Sequence, residues 1–202
     1  AFGLPGTGAV YADASGLQGW AAWTVSGDEL LLSSGEWTAE ELADESFIIA
    51  EKELLASTLG LVALSPEAGL SFVYSYTDNT NAEGAMRRLA PKTARMQAMV
   101  TARSAWMREQ GVFECVERIT SERNLWADLG SRNGVAEVER QAALFNLRVR
   151  HAQPAPAWRS TPAPPDGAGY RPSHRDRHEY GRGGHPSPVP PPPPPPRPPS
   201  PT

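Results

Sequence analysis

Four acidic residues stand where their carboxylates could act together on one substrate. Asp13 and Asp78 each follow an apolar run that predicts a β-strand. Glu53 lies within a long apolar helical pattern, and Asp128 lies at the start of a later predicted helix. If the first and fourth strands are parallel neighbours, Asp13 and Asp78 project into one crevice at the strand ends. Helices packed across that sheet can direct the other two carboxylates to the same place.

Oxygen donors of this kind favour Mg²⁺ or Mn²⁺ over zinc. The first 150 residues contain no histidine, which argues there against a histidine general base and a histidine-ligated zinc site. A single cysteine, Cys115, excludes an intramolecular disulfide and a cysteine zinc cluster. Clustered carboxylates repel one another, so a site of this composition is costly without a cation. Two Mg²⁺ ions about 4 Å apart suit in-line attack on a phosphodiester, which is the chemistry we expect.

The elements that must position these residues alternate in type along the chain. A short apolar segment that ends near residue 12 predicts the first strand, and the order βββαβαβα predicts an α/β protein with a mixed sheet. Pro91 marks a break within the second long helical region. The later predicted strands are Trp20–Val25, Glu29–Trp37, Leu70–Tyr76 and Val112–Val116, and the predicted helical regions are Phe47–Leu64, Asn81–Gln110, Glu122–Arg132 and Val135–Arg150.

The composition changes sharply near residue 151. Only three of the 21 prolines precede residue 152, and all four histidines lie at or beyond residue 151. We therefore expect a folded domain over 1–150 and a disordered tail rich in Pro, Arg and His over 151–202. The run Pro190–Pro199 favours a polyproline helix, which could dock on a polyproline-recognising module.

Charge and hydropathy narrow the class of protein further. The net charge is -4, and the excess of acidic residues lies in the first 150 residues. Binding of nucleic acid through net charge alone is therefore not expected. No apolar run reaches the length of a membrane span, and no basic-then-apolar signal opens the sequence. Together with the single cysteine, these features predict an intracellular protein, nuclear or cytoplasmic, that is not secreted and does not use a membrane.

Four short blocks surround the acidic residues. They are Tyr11-Ala-Asp13-Ala-Ser15 with Gly19-Trp20-Ala-Ala, Lys52-Glu53-Leu-Leu-Ala56, Tyr76-Thr77-Asp78-Asn79-Thr80-Asn-Ala82, and Asn124-Leu-Trp-Ala127-Asp128-Leu-Gly-Ser131-Arg132. In order and spacing they resemble the blocks T-D-A-S…G-W-G-A, K-E-L-L-A, T-D-N-T-x-A and N-x-x-A-D-x-L-S-R. These blocks are typical of the ribonuclease H domain of reverse transcriptases from DIRS-like and Ty3-like retroelements.

The resemblance implies an RNase H-like fold, with a five-stranded mixed sheet (βββαβαβ) flanked by helices. It implies a metal-dependent endonuclease that cuts the RNA strand of RNA–DNA hybrids with two Mg²⁺ ions, for which Mn²⁺ can substitute. It also implies an N-terminal reverse transcriptase domain in the same polyprotein. The metal ligands it implies are Asp13, Glu53, Asp78 and Asp128. Glu51 is the alternative to Glu53, but the block ends in Glu-Leu-x-Ala, which favours Glu53.

Three residues depart from the family pattern. Arg118 stands where many members carry a histidine, and an arginine cannot act as a base at neutral pH. Gly130 interrupts the run before Ser131, and Trp126 is larger than the pattern leads us to expect. The alternative function is therefore a catalytically degenerate RNase H-like domain that binds nucleic acid or acts as a spacer.

Basic residues in the second long helical region are candidates for contact with substrate. Arg88, Lys92 and Arg95 are spaced to share one helical face, which could meet the phosphates of a hybrid. A solvated face on an acidic protein explains the same spacing equally well.

The polar residues beside Asp78 are also candidates. Asn79, Thr80 and Asn81 could hydrogen-bond the sugar or phosphate oxygens of a bound strand. The same residue types cap helices, which is the alternative explanation.

Overall fold

A six-stranded mixed β-sheet forms the centre of the part of the chain that the computed structural model describes, residues 6–159. The strands are β1 (Thr7–Ala14), β2 (Gly19–Ser26), β3 (Glu29–Glu36), β4 (Phe72–Thr77), β5 (Phe113–Arg118) and β6 (Arg148–His151). Their order across the sheet is β5-β4-β1-β2-β3-β6. The first three strands pair antiparallel, whereas β4 pairs parallel with both β1 and β5. The predicted α/β class with a mixed sheet and the predicted order βββαβαβ are confirmed, and a sixth strand adds to the five that were expected.

Six α-helices connect or follow these strands. They are α1 (Ala39–Ala43), α2 (Ile49–Glu67), α3 (Thr80–Arg88), α4 (Ala94–Gln110), α5 (Leu125–Ser131) and α6 (Val135–Leu144). In the sequence the hydroxyl of Thr38 stands three residues before the carboxylate of Glu41, which predicts a helix start, and a capping box between these two residues begins α1. The predicted break at Pro91 is confirmed, since the helical region divides there into α3 and α4. None of the helices among residues 6–159 has the length and hydropathy needed to cross a membrane.

Helices α2 and α5 cover opposite faces of the sheet. A Cβ added at Gly60 of α2 would lie 2.4 Å from the Cβ of Ala22, and one added at Gly130 of α5 would lie 2.6 Å from the Cβ of Ala21. Successive residues of a strand face opposite sides, so the two helices pack on β2 from opposite sides. Glycine lets each helix approach the strand at this distance. The departure at Gly130 therefore has a packing explanation.

The large side chain of Trp126 also has a packing explanation. It is buried between β2 and α6, with its ring edge-on to Trp23 and Phe145. Its indole nitrogen donates to Oε1 of Gln141 at 2.9 Å. On the other face, α2 is buried along almost its whole length, from Ala50 to Ser65. These contacts fix both helices against the sheet and so fix where their polar residues emerge.

The end of the folded region differs from the sequence prediction. Val135–Arg150 was expected to form one helix, but α6 ends at Leu144 and the chain returns as β6, which pairs parallel with β3. The sixth strand was not predicted. The expected domain boundary at residue 150 falls inside β6, and the chain continues to Trp158, whose ring lies edge-on to Trp106. The rest of the predicted tail, including Pro190–Pro199, lies outside the described residues.

Candidate metal centre

Three of the four predicted carboxylates come together at one end of the central strands. One oxygen from each of Asp13, Glu53 and Asp78 lies within 4.8 Å of the others. Asp13 lies on β1, Glu53 on α2, and Asp78 directly after β4. Three separate elements therefore supply one donor each.

The register between β1 and β4 places the two aspartates level with each other. Tyr11 pairs with Tyr76 in the parallel ladder, and each aspartate follows its tyrosine by two residues. Because side chains alternate along a strand, a two-residue step returns to the same face. The rings of Tyr11 and Tyr76, which precede the aspartates by two residues, are stacked with centroids 4.8 Å apart.

Glu53 is buried to about the same extent as Asp13, whereas Asp78 is only partly buried. Its Oε2 atom is buried and has no hydrogen-bond partner among the described residues. Burial raises the pKa of Glu53 to about 9, and the charges of Asp13 and Asp78 act in the same direction. Burial likewise raises the pKa of Asp13 to about 6, although a hydrogen bond from Ser131 opposes the rise.

These properties allow a test of whether a divalent cation fits the site. The donors are carboxylate oxygens only, and one of them is buried without a partner. A cation among them would offset both the burial and the mutual repulsion that raise the pKa values of Asp13 and Glu53. The residues present therefore fit a hard divalent cation of the Mg²⁺ or Mn²⁺ type.

Two serine hydroxyls hold the aspartates of the group. Ser131 Oγ donates to Asp13 Oδ2 at 2.6 Å, and Ser121 Oγ donates to Asp78 Oδ2 at 2.6 Å. Ser131 belongs to the fourth sequence block, but sequence reasoning gave it no role. Ser121 lies in a short 3₁₀ turn, Ser121–Arg123, and no sequence signal pointed to it.

Asp128 stands beside the group rather than within it. Its Oδ1 atom accepts a hydrogen bond from Nε of Arg132 at 2.9 Å, and its side chain is partly exposed. Its charge still contributes to the raised pKa values of Asp13 and Glu53. The structure thus brings three predicted ligands into contact and leaves the fourth close by.

Glu51, the alternative to Glu53, faces a different set of partners. It accepts hydrogen bonds from Oγ1 of Thr93 and from Nη1 of Arg95, the latter at 2.9 Å. Arg95 also bonds Asp44 at 2.7 Å. The preference for Glu53 over Glu51 therefore agrees with where the side chains lie.

The structure separates the three basic residues that were expected on one helical face. Arg88 lies in α3, Lys92 lies in the connection that follows it, and Arg95 lies in α4. The prediction that they share one helical face is wrong, because the helix breaks between residues 88 and 94. Lys92 donates to Oδ1 of Asn81 at 2.6 Å, whereas Arg88 is exposed.

The polar residues after Asp78 begin helix α3. Asn79 is its N-cap, and its Oδ1 atom accepts from the backbone N–H groups of Asn81 and Ala82 at 2.9 and 3.0 Å. Thr80 is the first residue of the helix and is exposed. Capping, one of the two explanations offered by the sequence, is therefore present for Asn79. Contact of Asn79, Thr80 and Asn81 with a substrate stays a prediction.

Arg118, which replaces the family histidine, ends strand β5 opposite Thr77. Thr77 immediately precedes Asp78, so Arg118 lies at the same end of the sheet as the carboxylates. Its side chain is exposed.

The chain was compared with known proteins. No protein-family model and no curated protein matches it. Among solved structures, it is similar to RNase H1 from the halophilic archaeon Halobacterium salinarum, with 15% identity and a TM-score of 0.45, over 65% of this chain and 99% of the other. It is also similar to the N-terminal RNase H domain of a Mycobacterium tuberculosis protein, solved as a fusion with maltose-binding protein. That match has 14% identity and a TM-score of 0.45, over 67% of this chain and 98% of the other.

Proposed function

We propose that this chain is a nuclease of the ribonuclease H type, which hydrolyses the RNA strand of RNA–DNA hybrids with two divalent metal ions. The observation that carries the proposal is the convergence of Asp13, Glu53 and Asp78 from three elements, with one buried Glu53 oxygen left unpartnered. A structural cluster of acids would be expected to pair its buried oxygens with donors. A donor set left open in this way favours a cation-binding role.

The residues of this chain have separate tasks in the proposed reaction. Asp13, Glu53 and Asp78 hold the cations, and Asp128 is the fourth ligand that the resemblance implies. Divalent cations held by these residues would supply Lewis-acid activation of the attacking water and stabilisation of the leaving oxygen. Ser131 and Ser121 keep the carboxylates of Asp13 and Asp78 oriented through their hydrogen bonds.

The proposals for the substrate class and for the biological setting rest on the four sequence blocks. They contain the four acidic residues in the order and at the spacing of retroelement ribonuclease H domains. This resemblance supports an RNA–DNA hybrid as substrate, and a place in a polyprotein after a reverse transcriptase domain.

A second candidate is a catalytically degenerate domain of the same fold that binds nucleic acid. Arg118 favours it, because an arginine at neutral pH cannot take the proton that the family histidine could accept. The arrangement of the carboxylates favours the enzyme, because a domain that only binds nucleic acid has no need of three acids aimed at one point.

The test is cleavage of a labelled RNA–DNA hybrid by the full chain in Mg²⁺ or Mn²⁺. We expect RNA cleavage that disappears with chelator and in the Asp78→Asn variant. Asp28→Asn is the matched control, since Asp28 is an exposed aspartate paired with Arg148. Absence of cleavage by a folded chain with both ions would support the degenerate domain instead.

A further inference from the structure

One cationic side chain is bound to Asp128, beside the carboxylate group of Asp13, Glu53 and Asp78. Arg132 follows α5, and its Nε atom donates to Asp128 at 2.9 Å. Its side chain is 59% exposed. Among residues 6–159 its two terminal nitrogens, Nη1 and Nη2, donate to no group. The guanidinium therefore bonds Asp128 through Nε, and its Nη1 and Nη2 donors remain available to a ligand from solvent.

The charge of Arg132 acts on the carboxylate group itself. It lowers the pKa of Asp13 against the larger effect of burial. The hydrogen bond to Asp128 and the charge of that carboxylate raise the pKa of Arg132, and the charges of Asp13 and Asp78 act in the same direction. Arg132 directly follows Ser131, whose hydroxyl donates to Asp13 Oδ2 at 2.6 Å, so its guanidinium lies beside the carboxylate group.

Other basic side chains, near the site or considered above for substrate contact, are differently placed, and Arg88 is exposed at the end of α3. Lys52 directs its Nζ atom to the carbonyl oxygen of Gly16 at 2.6 Å. Arg95 is held by Asp44 and Glu51. Lys92 donates to Asn81.

A nucleic-acid backbone brings negative charge to a site that is already acidic, so a nearby cation must offset the repulsion. A guanidinium presents two parallel N–H donors that match the oxygens of a phosphate. We propose that Arg132 binds a backbone phosphate of the nucleic acid through Nη1 and Nη2 while Nε remains on Asp128. The identity of that nucleic acid as an RNA–DNA hybrid rests on the proposed function.

The test measures binding of a fluorescently labelled RNA–DNA hybrid to the full chain over a range of salt concentrations. Binding is measured in an Asp78→Asn background, so that cleavage does not interfere. We expect Arg132→Gln to raise the Kd about tenfold. The slope of log affinity against log salt should become smaller in magnitude by about one, which corresponds to the loss of one phosphate contact. Arg132→Lys keeps the charge but loses the fork, and should give an intermediate Kd.

Arg140→Gln is the matched control. Arg140 is an arginine on α6 with 62% exposure and an acidic partner three residues away, so its loss changes the net charge equally. An equal effect of the two glutamine variants, or no binding by the parent chain, would overturn the assignment of Arg132. A chain that binds the hybrid selectively through Arg132 but cleaves nothing with native Asp78 would overturn the nuclease and leave the phosphate contact supported.

Discussion

Glu53 is the residue that most directly links the stability of the folded chain to binding of the proposed cation. Its carboxylate is buried beside those of Asp13 and Asp78, so ionisation is opposed by desolvation and by like charge together. Without a cation the folded chain keeps a proton on Glu53 up to about pH 9, whereas the unfolded chain releases it near 4.5. Asp13 behaves in the same way over a lower range, from 3.8 to about 6.

This proton gives a prediction for stability. The folded state binds more protons than the unfolded state between these pKa values, so the free energy of unfolding falls as pH rises. In chelator, we expect the thermal unfolding midpoint to decline from about pH 5 to about pH 9. Saturating Mg²⁺ or Mn²⁺ should raise the midpoint most at the alkaline end, because a cation favours the ionised carboxylates.

Two variants separate Glu53 from its neighbours in this measurement. Glu53→Gln should flatten most of the decline and weaken the response to the cation. Glu51→Gln, two residues earlier on the same helix, removes a carboxylate that is paired with Arg95, so the decline should persist. A midpoint that rises with pH in chelator would contradict the burial of Glu53 without a counter-charge.

At the scale of elements, α5 determines how the site is supported. Asn124, which immediately precedes it, donates to the backbone oxygen of Ala12 at 2.8 Å, and Ser131 at its end donates to Asp13. The helix is thus fixed to two consecutive residues of β1. Gly130 sets its distance from the sheet, because no side chain fits between it and Ala21.

Gly130→Ala should therefore destabilise the protein by about 1–3 kcal/mol, since the added methyl forces α5 away from β2. Gly84 of α3 is the matched control, because a Cβ there meets nothing within 4 Å. Gly84→Ala should stabilise the protein by about 0.5–1 kcal/mol through the helix propensity of alanine. Urea unfolding of the two variants measures both effects. Equal changes in the two variants would show that α5 does not pack as closely as described.

At the scale of the whole described region, the chain from β6 to Arg159 packs back against β3 and α4. Val149 pairs with Leu30 at one edge of the sheet, and Trp158 packs against Trp106 of α4. Arg159 donates to the backbone oxygen of Glu36 at 2.6 Å. Residues beyond the predicted boundary at 150 therefore belong to the packed structure.

A chain that ends at residue 150 should unfold at a temperature several degrees lower than one that ends at 159. It loses the last residue of β6 and the aromatic contact of Trp158, which together represent about 1–3 kcal/mol. Trp158→Ala in the longer chain should reproduce most of the loss. Identical melting curves for the two truncated chains would show that residues 151–159 add nothing to stability.

Several features followed from the sequence alone because they depend on neighbours along the chain. Short runs of apolar and aromatic residues predicted the first five strands, and the spacing of Thr38 and Glu41 predicted the start of α1. The proline at position 91 predicted the break between α3 and α4, because its ring and missing N–H end a helix locally. The acidic residues were found by their place after strands and within blocks of matching order.

Other features were decided only by the tertiary structure, because they depend on residues far apart in the chain. The short segment Arg148–His151 is a strand because β3 offers it an open edge, which local pattern cannot reveal. The sequence block favoured Glu53 over Glu51, but the rotation of α2 against the sheet is what brings Glu53 to the other carboxylates. Asp128 lies beside the group and pairs with Arg132, and Ser121 reaches Asp78 only after the chain has folded. The sequence alone thus determined which residues could form a site, and packing determined which of them meet.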